Sequence, residues 1–433
     1  MDQRLKNGIR KYYQEKFNIH PKFIPGQSSV PVSGKVFDEE ELFYATEAVL
    51  DGWWTEGRFA KMFEKAFSQY LSRRYVSLVN SGSSANLLAL ACLTSAIFRD
   101  RRLQAGDEFI TSSVAFPTTV NPGILYGLKP VFLDVDLDTL NPNPSDIERA
   151  ISQKTKVIML AHTLGKPNEM DKIAKIAKKN NLWLIEDCCD ALGSKYDGKL
   201  TGTYSDIATF SFYPAHQITM GEGGAVVTDN PLIHRSIRQF RDWGRDCWCD
   251  TGQDNTCGKR FSWKLGRLPV GYDHKYSYSQ RGFNLKLTDM QAAIGLAQLK
   301  KLPLFIKKRQ QNYFKLFKYL SKFRKYLILP KTNKREEVSY FGLPMTVKEN
   351  AQFKREDLVG FLESHKIITR SIFSGNLLNH PAYEVINYRK IGKLENADAV
   401  MLSSFWIGVY PGLTSEMIDY VCRIFSEFFE KIK

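Results

Sequence analysis

Between residues 76 and 187, short apolar runs alternate with segments patterned for helix, and that alternation restricts the fold more than any other feature of the 433-residue chain. Strand-like runs at 76–79, 106–113, 130–134, 157–161 and 182–187 are interleaved with helical patterns at 144–152 and 170–180, and a further helix opens at Ser83. Runs dominated by apolar residues suit strands covered on both faces, and strands that alternate with helices come back in the same direction. The expectation is an α/β architecture with a mostly parallel sheet whose ligand lies at the carboxyl ends of the strands.

Residues 1–35 read as an arm, a basic amphipathic helix from Leu5 to Phe17 followed by a Pro/Gly/Ser-rich link from Pro21 to Pro31. A helix from about Asp38 to Asp51 leads to the turn Gly52-Trp-Trp-Thr-Glu-Gly57. The expected large domain covers 36–290, and 291–433 supplies a linking helix, about Asp289 to Phe323, and a smaller C-terminal α/β lobe ending in an amphipathic helix from Ser415 to Lys433. With 43% apolar and 25% charged residues the composition is that of a globular enzyme. The formal charge of +15 is scattered, with only short clusters such as Lys300-Lys301 and Lys307-Lys308-Arg309, so a solvated face is expected and no nucleic-acid partner. Positive potential still favours a nucleotide-bearing substrate or an acidic partner protein. No apolar run is long enough to span a bilayer, and Met1-Asp-Gln-Arg-Leu-Lys-Asn has no apolar signal core, which points to a cytoplasmic location without membrane contact.

The chemistry converges on Thr209-Phe-Ser-Phe-Tyr-Pro-Ala-His-Gln-Ile-Thr-Met-Gly-Glu-Gly-Gly224, an apolar strand running into a turn with His216 at its centre. Gly221, Gly223 and Gly224 allow backbone to approach a ligand closely. A histidine there is either a proton carrier or a satisfied core side chain. Upstream, Ser81-Gly-Ser83-Ser84 opens a helix whose free N–H groups and dipole suit a phosphate, although a simple N-cap would look the same. Phe116 and Asp187 follow two strand ends, where ligands of open α/β sheets bind, with a core phenylalanine and a cap as the competing readings.

These stretches resemble the DegT/DnrJ/EryC1/StrS sugar aminotransferases, which have the type I pyridoxal-phosphate transferase fold of aspartate aminotransferase. In that family Ser-Phe-His-Pro-x-Lys precedes a Gly-Glu-Gly-Gly-like turn, and here His216 holds the lysine position. Without the amine no covalent link to the cofactor forms, so the resemblance implies pyridoxamine 5'-phosphate (PMP) held non-covalently, with His216 as the base. Two further departures face the cofactor in the family's site: Tyr213 replaces the histidine of Ser-Phe-His-Pro, and Asp190 stands where Gln or His is expected. The resemblance also implies that Ser83, Ser84 and Ser211 bind the cofactor phosphate, Phe116 stacks on the ring and Asp187 meets the ring nitrogen. Asn284, in Gly-Phe-Asn-Leu-Lys286-Leu-Thr-Asp, would reach the phosphate of a neighbouring subunit, which implies a homodimer; Lys286 replaces the usual arginine.

Seven cysteines is an odd number, and nothing suggests secretion, so free thiols or metal are the options. Cys189, Cys247, Cys249 and Cys257 follow a Cys-x57-Cys-x-Cys-x7-Cys spacing, and the last three share a Gly/Asp/Asn-rich loop. Four thiolates suit a [2Fe–2S] cluster or a structural zinc, and spacing alone does not choose. Together with Tyr-Pro-Ala-His216, this spacing is similar to that of the iron–sulfur, PMP-dependent nucleotide-hexulose 3-dehydrases. Cys188 is a less well spaced alternative to Cys189, while Cys92 and Cys422 read as buried core. The resemblance implies removal of the C3 hydroxyl from a nucleotide-linked 4-keto-6-deoxyhexose, with electrons from a separate NAD(P)H-dependent flavin or iron–sulfur reductase. The rivals are an iron-free 3-dehydratase that uses glutamate, and a non-catalytic, zinc-stapled binding protein.

Overall fold

The computed structural model describes residues 1–17, 22–331 and 333–432; Pro21 of the expected link and Lys433 of the last helix lie outside them. The chain opens with helices α1 (Gln3–Lys16), α2 (Glu39–Leu50) and α3 (Arg58–Leu71), then enters strand β1 (Tyr75–Val79) and helix α4 (Gly82–Ala91). It continues through β2 (Glu108–Ser112), α5 (Pro117–Leu125), β3 (Lys129–Leu133), α6 (Pro144–Ala150), β4 (Thr155–Ala161), α7 (Met170–Lys179) and β5 (Trp183–Asp187). Two short strands, β6 (Lys195–Tyr196) and β7 (Lys199–Leu200), precede β8 (Ile207–Ser211), β9 (Gly224–Thr228) and α8 (Pro231–Arg241). The remainder is α9 (Asp289–Leu320), β10 (Leu327–Ile328), β11 (Glu336–Glu337), β12 (Gly342–Val347), α10 (Arg355–Ser364), β13 (Thr369–Arg370), β14 (Arg389–Lys390), α11 (Glu395–Ser403), β15 (Ser404–Gly408) and α12 (Ser415–Lys431).

The main sheet has the order β1-β9-β8-β5-β4-β2-β3-β14. Every neighbouring pair is parallel except β8–β9 and β9–β1, so β9 alone runs against the rest. The carboxyl ends of β1, β2, β5 and β8 therefore share one edge with the start of β9. Strands β2, β5, β8 and β9 are buried along their whole length, because helices cover both faces and leave no side for alternating polar residues. The expected α/β fold with a mostly parallel sheet is the fold observed.

A second sheet, β10-β12-β15-β13, packs with α9, α10 and α12 around its own core of Leu316, Leu343, Phe405, Ile407 and Phe425. The arm takes part in that core: Phe23 packs on Tyr420, and Val30 bridges Ile367. Helix α3 buries Phe59, Phe63, Phe67 and Leu71, a stripe repeating every fourth residue. No side chain of its own caps its start at Gly57. The cap comes from α9, where buried Asp289 accepts from the amides of Gly57, Phe59 and Ala60 at 2.8–3.1 Å and fixes the Gly52–Gly57 turn against the long helix.

Candidate active site

The ligand edge gathers the pieces. Gly224 of β9 pairs with both Val79 and Ser211, so the end of β1, the end of β8 and the glycine turn are adjacent. From β1 the chain turns through Asn80 and Ser81 into α4, whose start lies over Ser211. A Cβ on Gly82 would stand 2.5 Å from Ser211 Cβ and 3.1 Å from Cys189 Sγ, so glycine is what lets the helix start sit there. Ser81 is the N-cap, accepting from the Ser84 amide at 3.1 Å. The Ser84 hydroxyl donates to Asn80 Oδ1 and accepts from Ser81, whereas Ser83 is exposed.

Asp187, at the end of β5, is buried and oriented by three donors. Asn86 Nδ2 and Thr119 Oγ1 reach Oδ2 at 2.8 and 2.7 Å, and the Cys189 amide reaches Oδ1 at 3.1 Å. Neither Asn86 nor Thr119 figures among the residues inferred from the sequence. A lone asparagine inside the apolar start of α4 was the available signal. Phe116 ends the loop after β2 with its ring 51% exposed, 6.4 Å from Phe373, and so lies open at the ligand edge rather than in the core.

His216 follows Ser211 on the same loop. Its ring sits 5.3 Å from the Phe341 ring, and Nδ1 is 3.5 Å from Asp190 Oδ1. His216 Nδ1 and Asp190 Oδ2 are buried with no hydrogen-bond partner, an arrangement that costs stability unless a ligand completes it. Burial pushes the Asp190 carboxyl up to about 8, aided by Asp187. Burial also pushes the His216 imidazole down to about 3, and the positive charge of Arg309 adds to that. Both groups are thus driven to their neutral forms. Tyr213 is half-exposed, and its carbonyl accepts from the His216 amide at 3.0 Å.

Arg309 corrects the expectation of a solvated Lys307-Lys308-Arg309 face: it is 1% exposed. Its guanidinium donates to the carbonyl of His216 at 2.9 Å and to that of Tyr340 at 3.1 Å, tying the histidine loop to the smaller lobe.

Asn284 is exposed beside Leu285, whose carbonyl accepts from the Asn80 amide at 2.9 Å; its Oδ1 accepts from Lys286 at 2.9 Å, and Lys286 also pairs with Asp242 at 2.7 Å. Cys247, Cys249 and Cys257 occupy a loop beyond α8. Cys249 Sγ is 3.1 Å from Thr256 Oγ1, and the Lys259 amide donates to Cys257 Sγ at 3.4 Å. Cys189 stays in the cradle, half-buried, while Cys188 is fully buried in the core, as are Cys92 and Cys422. Among the described residues, the convergent group of potential ligands is instead His162, Glu186 and Cys188. There Glu186 already serves His162 and the amides of Gly202 and Tyr204, which makes it a structural network.

The parallel sheet, the helix start beside a serine and glycine pair, and the buried carboxylate at a strand end define a pyridoxal-phosphate transferase fold. Residues 35–426 match the DegT/DnrJ/EryC1/StrS aminotransferase family, and the chain belongs to it. It is 51% identical to the lipopolysaccharide biosynthesis protein RfbH of Salmonella typhimurium, over 99% of this chain and 98% of that protein. It is 49% identical to a dTDP-4-dehydro-2,6-dideoxy-D-glucose 3-dehydratase of Saccharopolyspora spinosa, over 99% of this chain and 92% of that protein. Among solved structures it resembles an E. coli GDP-4-keto-6-deoxy-D-mannose-3-dehydratase with bound hydrated PLP, at 29% identity and a TM-score of 0.81, covering 91% of this chain and 98% of that one. The coarse expectation of a pyridoxal-phosphate enzyme of the nucleotide-sugar dehydratase or aminotransferase kind holds. No described helix is long and apolar enough to cross a membrane.

Proposed function

We propose that this protein is a PMP- and [2Fe–2S]-dependent 3-dehydrase acting on a nucleotide-linked 4-keto-6-deoxyhexose, CDP-4-keto-6-deoxy-D-glucose in the first instance, in the formation of a 3,6-dideoxy sugar. The observation that carries the reading is His216, neutral and without a partner on Nδ1, where the related aminotransferases have their lysine. The cradle fits PMP. The unpartnered Nδ1 of His216 and Oδ2 of Asp190 call for a polar ligand, the start of α4 offers amides to a phosphate, and Asp187 is oriented for a ring nitrogen.

Bound PMP supplies an amine that condenses with the 4-ketone and a ring that draws electrons from the adjoining carbons. Ser83, Ser84, Ser211 and the α4 amides hold the phosphate, the Ser84 hydroxyl leaving Asn80 to do so. Asp187 keeps the ring nitrogen protonated, and Phe116 covers the ring. His216, neutral because water is excluded, takes a proton from the carbon that bears the cofactor amine, and the C3 hydroxyl departs. Asp190 and Tyr213 border the same space, with Asp190 protonated and able to donate. Asn284, exposed in one chain, serves the phosphate of a second subunit in a homodimer. A cluster on Cys189, Cys247, Cys249 and Cys257 would supply one-electron transfer from a separate NAD(P)H-dependent reductase.

The separation of Cys189 from the other three cysteines within a chain favours one rival, an iron-free 3-dehydratase that uses glutamate. Iron and sulfide in anaerobically purified protein separate the two.

The test of the site is His216→Asn. The variant is expected to bind PMP as the wild type does, since binding rests on Asp187 and the phosphate contacts. Solvent-oxygen exchange at the sugar's C3, read by mass spectrometry without reductase, should fall by ~10²–10⁴. Near-normal exchange would remove His216 from the proposed role.

A further inference from the structure

The three loop cysteines are held where their own chain brings no fourth thiolate. Asp246, next to Cys247, is clamped by Arg235 at 3.1 Å and by His274 at 3.0 Å. Asp250, next to Cys249, is clamped by Lys61 of α3 at 2.9 Å and by Arg238 of α8 at 3.4 Å. Both helices pack on β1, the edge strand. Cys189 follows β5, three strand spacings inward, or roughly 14 Å at the usual ~4.8 Å per strand. A metal–thiolate bond of about 2.3 Å requires all four sulfurs to lie within a few ångströms of one centre. Within the loop, Cys249 Sγ lies 3.1 Å from the hydroxyl of Thr256, the residue before Cys257.

The loop and its flank also expose aromatic surface: Trp248, Tyr272 and Tyr276 are exposed, and a Cβ on Gly252 of the loop would lie 2.9 Å from the exposed Trp53 ring. Aromatic surface of that extent marks an interface. A second copy of this chain is the occupant that also carries what the loop lacks, because its half-buried Cys189 opens beside Gly82, which has no side chain to cover it. In a twofold dimer each contact occurs twice, so two equivalent sites form.

We propose that the fourth ligand to Cys247, Cys249 and Cys257 is the partner subunit's Cys189, so that each cluster is built across the dimer interface. The inference rests on the reading of these four cysteines as one metal site. Neither chain alone then holds a complete site.

The test is complementation between two inactive halves. A chain carrying Cys189→Ser and a chain carrying Cys249→Ser, each with a different affinity tag, are co-expressed, and the heterodimer is isolated through both tags. It is then reconstituted anaerobically with iron and sulfide. If the site is shared, the first chain's intact loop meets the second chain's intact Cys189, and the heterodimer holds one cluster, about two irons and two sulfides. That is half the wild-type dimer's content, with the reduced-state paramagnetic signal at half intensity. Each variant homodimer should hold none. If ligands come from one chain, both heterodimer sites lack a thiolate; a cluster-free heterodimer overturns the proposal, as does a full cluster in the Cys189→Ser homodimer. Should the wild type take up zinc and no sulfide, the iron–sulfur enzyme reading fails, and zinc content of the same heterodimer still decides whether the site is shared. A wild type that binds neither metal overturns the site altogether.

Discussion

Gly224→Ala tests whether the start of α4 is the phosphate cradle. An alanine Cβ there would stand 2.4 Å from the Ser81 carbonyl oxygen, 2.5 Å from its carbon and 2.8 Å from the Gly82 nitrogen. The obstacle is backbone on every side, so no rotamer change relieves it, and β9 and the α4 start must separate. Overpacking of a core costs ~1–3 kcal/mol, and a backbone obstacle belongs at the upper end. Displacing the amides that face the phosphate removes at least one hydrogen bond to a charged group, ~1.5–3 kcal/mol, which is about ten- to a hundredfold in Kd. Gly221→Ala is the comparison: its φ is +78° and nothing lies within 4 Å of an added Cβ, so it carries backbone strain of ~1–2 kcal/mol without touching α4. Calorimetric titration with PMP, beside urea unfolding of both variants, reads the two effects. The expected pattern is loss of stability in both and loss of PMP affinity in Gly224→Ala alone. Wild-type affinity in Gly224→Ala, or an equal loss in Gly221→Ala, would refute the placement of the phosphate.

Arg309→Met should destabilise the protein by ~2–5 kcal/mol in urea unfolding, because buried carbonyls of His216 and Tyr340 lose their donor; a change within experimental error would mean that water replaces the guanidinium. His216→Lys should form a borohydride-reducible link with pyridoxal phosphate, detectable as a mass increase on the chain, and complete failure to trap one counts against equating His216 with the lysine position. His234, stacked on Tyr75 at 4.6 Å, is pushed down from 6.5 to about 4 by burial and then by Arg238 and Arg241. Between those values the unfolded chain binds a proton that the native state excludes, so this contribution is present above pH 6.5 and is lost as the pH falls toward 4. His234→Gln should therefore reduce the fall in unfolding free energy across that window by ~1–3 kcal/mol, and an unchanged fall removes His234 from the account.

The strands were legible because burial on both faces writes a continuous apolar run into the sequence, and the helices between them because one apolar stripe repeats at helical spacing. The long helix ends at Leu320 rather than at Phe323, because the chain tightens into a 3-10 turn over Ser321–Phe323 that preserves the pattern. What escaped were interactions between distant stretches. The cap of α3 is Asp289, more than two hundred residues away, and no local signal announces it. Asp187 was readable as a strand-end carboxylate, but its donors Asn86 and Thr119 come from two other elements. Arg309 was misread because three basic residues in a row suggest a solvated patch. On a helix each residue turns by about 100°, so Lys307 faces water while Arg309 points into the core. The cysteine spacing has a similar limit, since a linear pattern does not say how far apart the thiols stand in the fold.

The surroundings of His216 agree with one another in a way that a buried histidine does not by itself require. An ionised carboxylate 3.5 Å away would draw the imidazole toward its charged form, which cannot accept a proton. Asp190 avoids this because the same burial that excludes water from His216 raises its own carboxyl to about 8. Arg309 then contributes from behind. It is lowered only to about 10 and so stays charged at neutral pH, holding the loop by the His216 carbonyl while its field opposes protonation of the ring. A lysine ammonium in that place would meet the same exclusion of water and the same positive field, whereas a neutral imidazole loses little on being buried. His216, the protonated Asp190 and Arg309, hidden in a basic run, are therefore three parts of one electrostatic arrangement.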